Sequence, residues 1–232
     1  GMLERIQKQN EESIKREAAL KDTAIRAMQN QINALFIYNV LESIKMMAEI
    51  DEEYTISDAV TALGEMLHYN MRWNKFLVTV QDEMNYIQNY VELMNLRYDF
   101  TITLSVQMPE NLYRQDIPKM SLQPIVENAI YHGLKYKESK GMLTVNGYQK
   151  DGNAVIEIAD DGVGMDEETL NRIFEKHKVN YRSNGVGVYN VQRRLCMYYG
   201  KEYGLSYKSE KGKGTTVTVV IPIEQEEHHE KA

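Results

Sequence analysis

The chain has 232 residues, of which 43% are hydrophobic, 26% charged and 9% aromatic, enough for one large domain or two small ones around a real core. Its 27 basic residues stand against 34 acidic ones, a net charge of -7 that argues against broad electrostatic binding to nucleic acid. One cysteine, Cys196, excludes a disulfide framework and a multi-thiolate metal site, and no apolar run reaches the roughly 20 residues that cross a bilayer. With no signal peptide, the chain is expected to be a cytoplasmic fragment.

All four prolines lie at or after Pro109, and twelve of the fourteen glycines at or after Gly133, so little interrupts helices in the first hundred residues. Ile25, Met28, Ile32, Leu35/Phe36, Val40, Ile44 and Met47 recur every three or four positions and predict one long amphipathic helix. Its upstream part, Leu3 to Lys21, is rich in Lys, Glu and Gln and needs a partner helix. Thr55-x-x-Asp58 reads as the start of a second helix carrying Ile56, Val60, Leu63, Leu67 and Met71. These two form an antiparallel hairpin whose apolar stripe would stay wet in a monomer, so a dimeric four-helix bundle is expected.

A third helix is predicted from Thr79-x-x-Asp82 to about Tyr98. From Phe100 the period changes to alternation, with Ile102, Leu104 and Val106 on one strand face. Beyond it the sequence predicts a helix from Met120 to Leu134 and a hairpin of Met142–Gln149 with Asn153–Ala159, turned at Asp151-Gly152. A short helix follows from Asp166, then a helix Val188–Tyr199 and the strands Tyr203–Ser209 and Thr215–Ile223. The expected class is α+β, with a helical hairpin over 1–76 and an α/β sandwich on a mixed, mainly antiparallel sheet over 77–232, ending in a short acidic tail.

Three segments of the second half carry chemistry that fits a nucleotide. Glu127-Asn128 and His132-Gly133 share a helix: an asparagine oxygen is a hard ligand suited to Mg2+, and an adjacent carboxylate suits a base. Asp160-x-Gly162-x-Gly164 follows a strand, where a carboxylate can accept from an adenine amino group and glycines let the backbone come close. Gly185-x-Gly187 feeds a helix whose first N–H groups suit phosphate oxygens. Singly, each reads equally well as a turn or a solvated helix face. Neither a P-loop nor a G-x-G-x-x-G fingerprint is present.

With Gly212-x-Gly214-Thr215 before the last strand, these segments resemble the N, G1, G2 and terminal boxes of the ATP-binding domain shared by sensor histidine kinases, Hsp90, MutL and type II topoisomerases. Gln31-Ile32-Asn33-Ala34-Leu35-Phe36-Ile37-Tyr38-Asn39-Val40-Leu41 is similar to the Q-I-N-P-H-F-L-Y-N-x-L phosphoacceptor box of LytS/YesM-type sensor histidine kinases.

The resemblance implies ATP and Mg2+ as cofactors, with Asp160 reading adenine and Asn128 holding Mg2+. It implies that Gly162, Gly164, Gly185 and Gly187 shape the pocket and lid, that His132 and Thr215 complete it, and that Glu127 is the candidate base. It further implies a homodimer, a response regulator as partner and a membrane-anchored full-length protein.

The pattern departs at the acceptor. Ala34 and Leu35 stand where the family has proline and the phosphorylated histidine, and a leucine side chain forms no phosphoramidate. That both positions depart favours natural drift. Two readings follow: a two-component kinase fragment lacking its usual acceptor, or a non-enzymatic, ATP-binding pseudokinase that regulates a homodimer or a heterodimer with a competent kinase. A conformational ATPase using Glu127 to activate water fits the hairpin less well. His68, on the second hairpin helix, is the substitute acceptor worth testing, whereas His177, His228 and His229 lie in the lid and tail. Lys176, Lys178 and Arg182 are within reach of a triphosphate or form a solvated lid, Trp73 reads as a filler between domains, and Cys196 as a buried small apolar residue.

Overall fold

The computed structural model describes residues 35–71, 76–98, 101–137, 140–170 and 186–223. The chain divides into two compact units, Gly1–Met71 and Arg72–Ala232. The predicted helical stretch upstream of residue 35, together with Ala34, Trp73, Lys176, His177, Lys178, Arg182, Gly185 and the tail histidines, lies outside the described residues.

In the first unit, helix α1 (residues 35–50) turns through 51–53 into α2 (Tyr54–Met71). The second helix starts one residue before Thr55, so Thr55 lies within the first turn and does not cap it. Ala48 of α1 and Ala62, Met66 and Tyr69 of α2 are buried, and Gly64 lies beside the Tyr38 ring. Ser57 donates across the hairpin to Glu49 at 3.1 Å. Phe36, Val40, Ile44, Met47, Ile56 and Leu63 remain exposed, so much of the apolar periodicity lies outside the hairpin's own contact.

The second unit opens with β1 (Leu77–Thr79) and α3 (Val80–Arg97), whose start is the expected capping box: Thr79 Oγ1 accepts from Asp82 N–H at 3.1 Å and Asp82 Oδ2 accepts from Thr79 N–H at 3.1 Å. Then come β2 (Thr101–Gln107), the short α4 (Glu110–Tyr113) and β3 (Asp116–Pro118). The next helix departs from expectation. It starts at Gln123, not at Met120, which sits in the left-handed region at φ 62°. α5 (Gln123–Asn128) passes into a π turn at Ala129–Gly133 and a 3-10 turn at Leu134–Tyr136.

The hairpin of β4 (Lys140–Lys150) and β5 (Asn153–Asp160) turns at Asp151-Gly152 as expected. A helical segment, α6 (residues 167–170), α7 (Val186–Tyr199), β6 (Gly204–Glu210) and β7 (Gly214–Pro222) complete the described chain.

The main sheet runs β2-β4-β5-β7-β6, with β2 parallel to β4 and the other pairs antiparallel. Leu143, Val145, Ile156, Ile158, Val217, Val219 and Ile221 project from one face into a core closed by Met84, Ile87, Ile125, Ile130, Val191 and Leu195 of the helices. The register places Asp160 between Leu143 and Thr215 on that same inward face, so the strand that builds the core ends in a carboxylate. A small sheet of β1 and β3, not anticipated from the sequence, ties the beginning of α3 to the segment before α5.

Candidate functional site

Asp160 is the last residue of β5 and is 8% exposed. Its Oδ1 accepts the Gly162 N–H at 2.9 Å. Burial pushes its pKa up from 3.8 to about 6, against the opposing pull of backbone N–H groups from Gly162 and Thr215.

The wall facing this carboxyl group is made of missing side chains. A Cβ at Gly133 would lie 2.5 Å from Asp160 Oδ1, and one at Gly162 would lie 2.6 Å from the same oxygen while striking the Gly133 carbonyl. Here glycine is required for room. At Gly164 it is required for conformation, at φ 60° beside the Glu210 carbonyl.

The loop between them is laced on both sides. Val163 N–H donates to Gly133 O at 3.2 Å and Gly212 N–H to Val163 O at 2.7 Å, while Met165 N–H reaches Ser209 Oγ at 2.8 Å. The Ser209 and Thr215 hydroxyls are 2.9 Å apart. Adjacent Asp161 points elsewhere, into an ion pair with Lys137 at 2.7 Å and the Met142 N–H at 2.8 Å. Although partial burial works against it, these partners hold Asp161 below the usual carboxylate range. Neighbouring acids thus have opposite characters: one structural and firmly ionised, the other buried and poised near neutrality.

The helix opposite carries the other expected residues. Its π turn, with the extra residue such a turn accommodates, lies between Asn128 and Gly133. Asn128 is half-buried at the end of α5; His132 is exposed, edge-on to Tyr131 with ring centroids 5.0 Å apart. Glu127 faces α3: its Oε1 accepts from Gln123 Nε2 at 2.8 Å and from the Tyr86 hydroxyl at 3.3 Å. Burial, and after it the Glu127 charge, pushes the nearby Tyr90 hydroxyl up to about 12.

Gly187 lies in the first turn of α7, where a Cβ would be 3.5 Å from Pro124 Cβ, so the first turns of α5 and α7 abut. The structure therefore joins Gly133, Asp160, Gly162, Gly164 and Thr215 in one cluster, with Gly187 against the helix of Glu127 and Asn128. Leu35 and His68 belong to the first unit, where both are exposed.

Residues 23–102 match the family described as "Histidine kinase", and residues 118–225 match "Histidine kinase-, DNA gyrase B-, and HSP90-like ATPase". The chain belongs to the sensor histidine kinases. It is 31% identical over 225 residues to Sensor histidine kinase YesM of Bacillus subtilis, covering 97% of this chain and 38% of that protein. It is also 31% identical over 214 residues to Sensor protein LytS of Oceanobacillus iheyensis, covering 91% and 36%. The chain thus spans less than two fifths of the length of these relatives. A solved histidine kinase domain from the Erythrobacter litoralis EL346 blue-light activated histidine kinase aligns at a TM-score of 0.46 and 17% identity, over 82% of this chain and 94% of that one.

Within this histidine kinase chain two further residues at the site escaped the sequence reading. Glu83 of α3 is fully buried and accepts from the turn that begins α5, and Arg194 of α7 donates to the carbonyls of that same turn. For Glu83 a signal existed: it falls on the apolar stripe of Val80, Met84, Ile87 and Val91, where an acid needs a partner. Among the described residues no helix is long and apolar enough to cross a membrane, and no acid, histidine and cysteine cluster suits a metal ion.

Proposed function

We propose that this chain is the dimerisation and nucleotide-binding part of a two-component sensor histidine kinase that takes Mg-ATP into the cradle around Asp160. The observation that carries the reading is a buried carboxylate whose rim, at Gly133 and Gly162, is cleared of side chains. A flat ring with an exocyclic amino group fits such a place, because the amino group donates to the carboxylate and the glycines let the backbone pack closely around it with no side chain in the way. Asn128 would hold Mg2+ through its amide oxygen, and the ion would supply positive charge for the phosphates. Gly187 lies in the first turn of α7, and the N–H groups at a helix start suit the phosphates. His132 and Thr215 complete the rim, and Glu127 is the base, with Tyr86 and Gln123 holding one of its oxygens.

Leu35 stands at the acceptor position and has no lone pair to attack the γ-phosphorus, so the chain handles ATP without being phosphorylated there. This favours a pseudokinase role: regulating a homodimer, or a heterodimer with a competent kinase, whose phosphoryl group goes on to a response regulator. The intact protein is membrane-anchored and holds this piece in the cytoplasm. The names of the relatives, a sensor histidine kinase and a sensor protein far longer than this chain, support the sensor-kinase reading.

Incubation with ATP labelled at the γ-phosphate tests the role of Leu35. The unmodified chain is expected to carry no acid-labile phosphate, whereas Ala34→Pro with Leu35→His supplies a ring nitrogen and gains it. Phosphoryl transfer depends chiefly on in-line placement and charge stabilisation, so silence after restoration with ATP binding intact favours a pure regulator. Label on the unmodified chain overturns the account of Leu35, and its loss in His68→Ala identifies the substitute.

A further inference from the structure

The helix of Glu127 and Asn128 is gripped at its start by a charge from each neighbouring helix. Glu83 on α3 is 0% exposed, and its carboxylate accepts the N–H groups of Met120 at 2.5 Å, Leu122 at 2.9 Å and Gln123 at 3.1 Å. A buried carboxylate is tolerable only when its lone pairs are met, and these amides also have no partner inside α5 itself, being at or before its first turn. The turn can aim its amides at one point because Met120 is in the left-handed region.

Its carbonyls serve a different partner. Those of Lys119 and Met120 accept from the Arg194 guanidinium of α7, the latter at 2.9 Å. One backbone turn thus bridges an anion on α3 and a cation on α7, N–H groups to the first and carbonyls to the second. One helical turn along α3, Tyr86 grips α5 again: its hydroxyl accepts from Gln123 Nε2 at 2.8 Å and donates to Glu127 Oε1 at 3.3 Å. Because Gly187 meets Pro124, Arg194 and this turn fix the first turns of α5 and α7 against one another.

We infer that Glu83 and Arg194 are positioning residues for the metal and phosphate half of the nucleotide site, setting the placement of the Asn128 and Gly187 helices at their first turns, while the adenine half at Asp160 is held chiefly by β5 and by the bond of its loop to Gly133, at the far end of the helical run that starts with α5. The inference rests on the nucleotide-site reading above and divides that site into two separately anchored halves. It yields a differential effect: disturbing the clasp costs Mg-nucleotide affinity and spares the nucleoside. General destabilisation would not separate the two ligands.

The test uses the full 232-residue chain, with Glu83→Gln and Arg194→Met. Glu83→Gln keeps the side-chain volume but turns an amino group toward donors. Titration calorimetry with Mg-ADP and with adenosine is paired with amide hydrogen exchange. In Glu83→Gln the amides of Met120, Leu122 and Gln123 are expected to exchange at least tenfold faster with β5 amides still protected. Mg-ADP is expected to bind at least tenfold more weakly in both variants, and adenosine within twofold of the unmodified chain. Equal weakening of both ligands, or unchanged Mg-ADP binding, overturns the inference and leaves the nucleotide site standing. Absence of binding of either ligand to the unmodified chain removes the site reading and the inference with it.

Discussion

In the proposed role Asp160 meets two opposing demands: a carboxylate that reads an amino group must be ionised, yet the dry position that would make the reading selective favours its neutral form. Folding raises its pKa from 3.8 to about 6, so between those values the folded chain holds a proton that the unfolded chain has released. Stability therefore falls as pH rises through that window, by up to about 3 kcal/mol, and Asp160→Asn should flatten the slope in urea titrations between pH 4 and 6. Nucleotide binding should run the other way, strongest above pH 7 and weakening by about tenfold per unit well below pH 6, as calorimetry at stepped pH would record. Gly162→Ala should both lower the melting temperature and abolish binding, since the added methyl group meets the backbone of Gly133, which cannot swing away as a side chain can.

At the scale of elements, local signals read well and long-range ones did not. The Thr79-x-x-Asp82 capping box is present as read, and its loss in Thr79→Ala should cost about 1 kcal/mol, seen as a lower urea midpoint with an unchanged slope. The Asp151-Gly152 hairpin and the alternation of Ile102, Leu104 and Val106 were equally legible, because turn chemistry and period 2 are written in adjacent residues. The start of α5 was misplaced because its cap is Glu83, a residue far upstream, and the apolar residues Met120 and Leu122 mimic a first turn. The pairing of β1 with β3 rests on three residues a side, too short to leave a pattern. For the site, the sequence singled out the acid and the glycines; which surface each glycine clears, and the Glu83 and Arg194 clasp, depended on tertiary neighbours that no local pattern encodes.

At the scale of the whole molecule, the first unit presents Phe36 at 69%, Met47 at 65% and Ile56 at 48% exposure, a stripe a lone hairpin leaves in water. Pairing of two hairpins covers it, so light scattering should give about twice the 26.9 kDa chain mass, and Ile44→Asp with Leu63→Asp should shift the chain toward monomer without loss of helix signal. In the proposed function the two units carry separate duties: helices that bring copies together and a sandwich that holds the nucleotide. The claim on which the rest depends is that the Asp160 cradle takes the adenine of Mg-ATP. Titration calorimetry of the unmodified chain and Asp160→Asn with a non-hydrolysable Mg-ATP analogue at pH 7.5 tests it directly. The account predicts saturable binding that the substitution weakens by at least tenfold, or about 1.4 kcal/mol; no detectable heat from the unmodified chain, or equal affinity in the two, would contradict it.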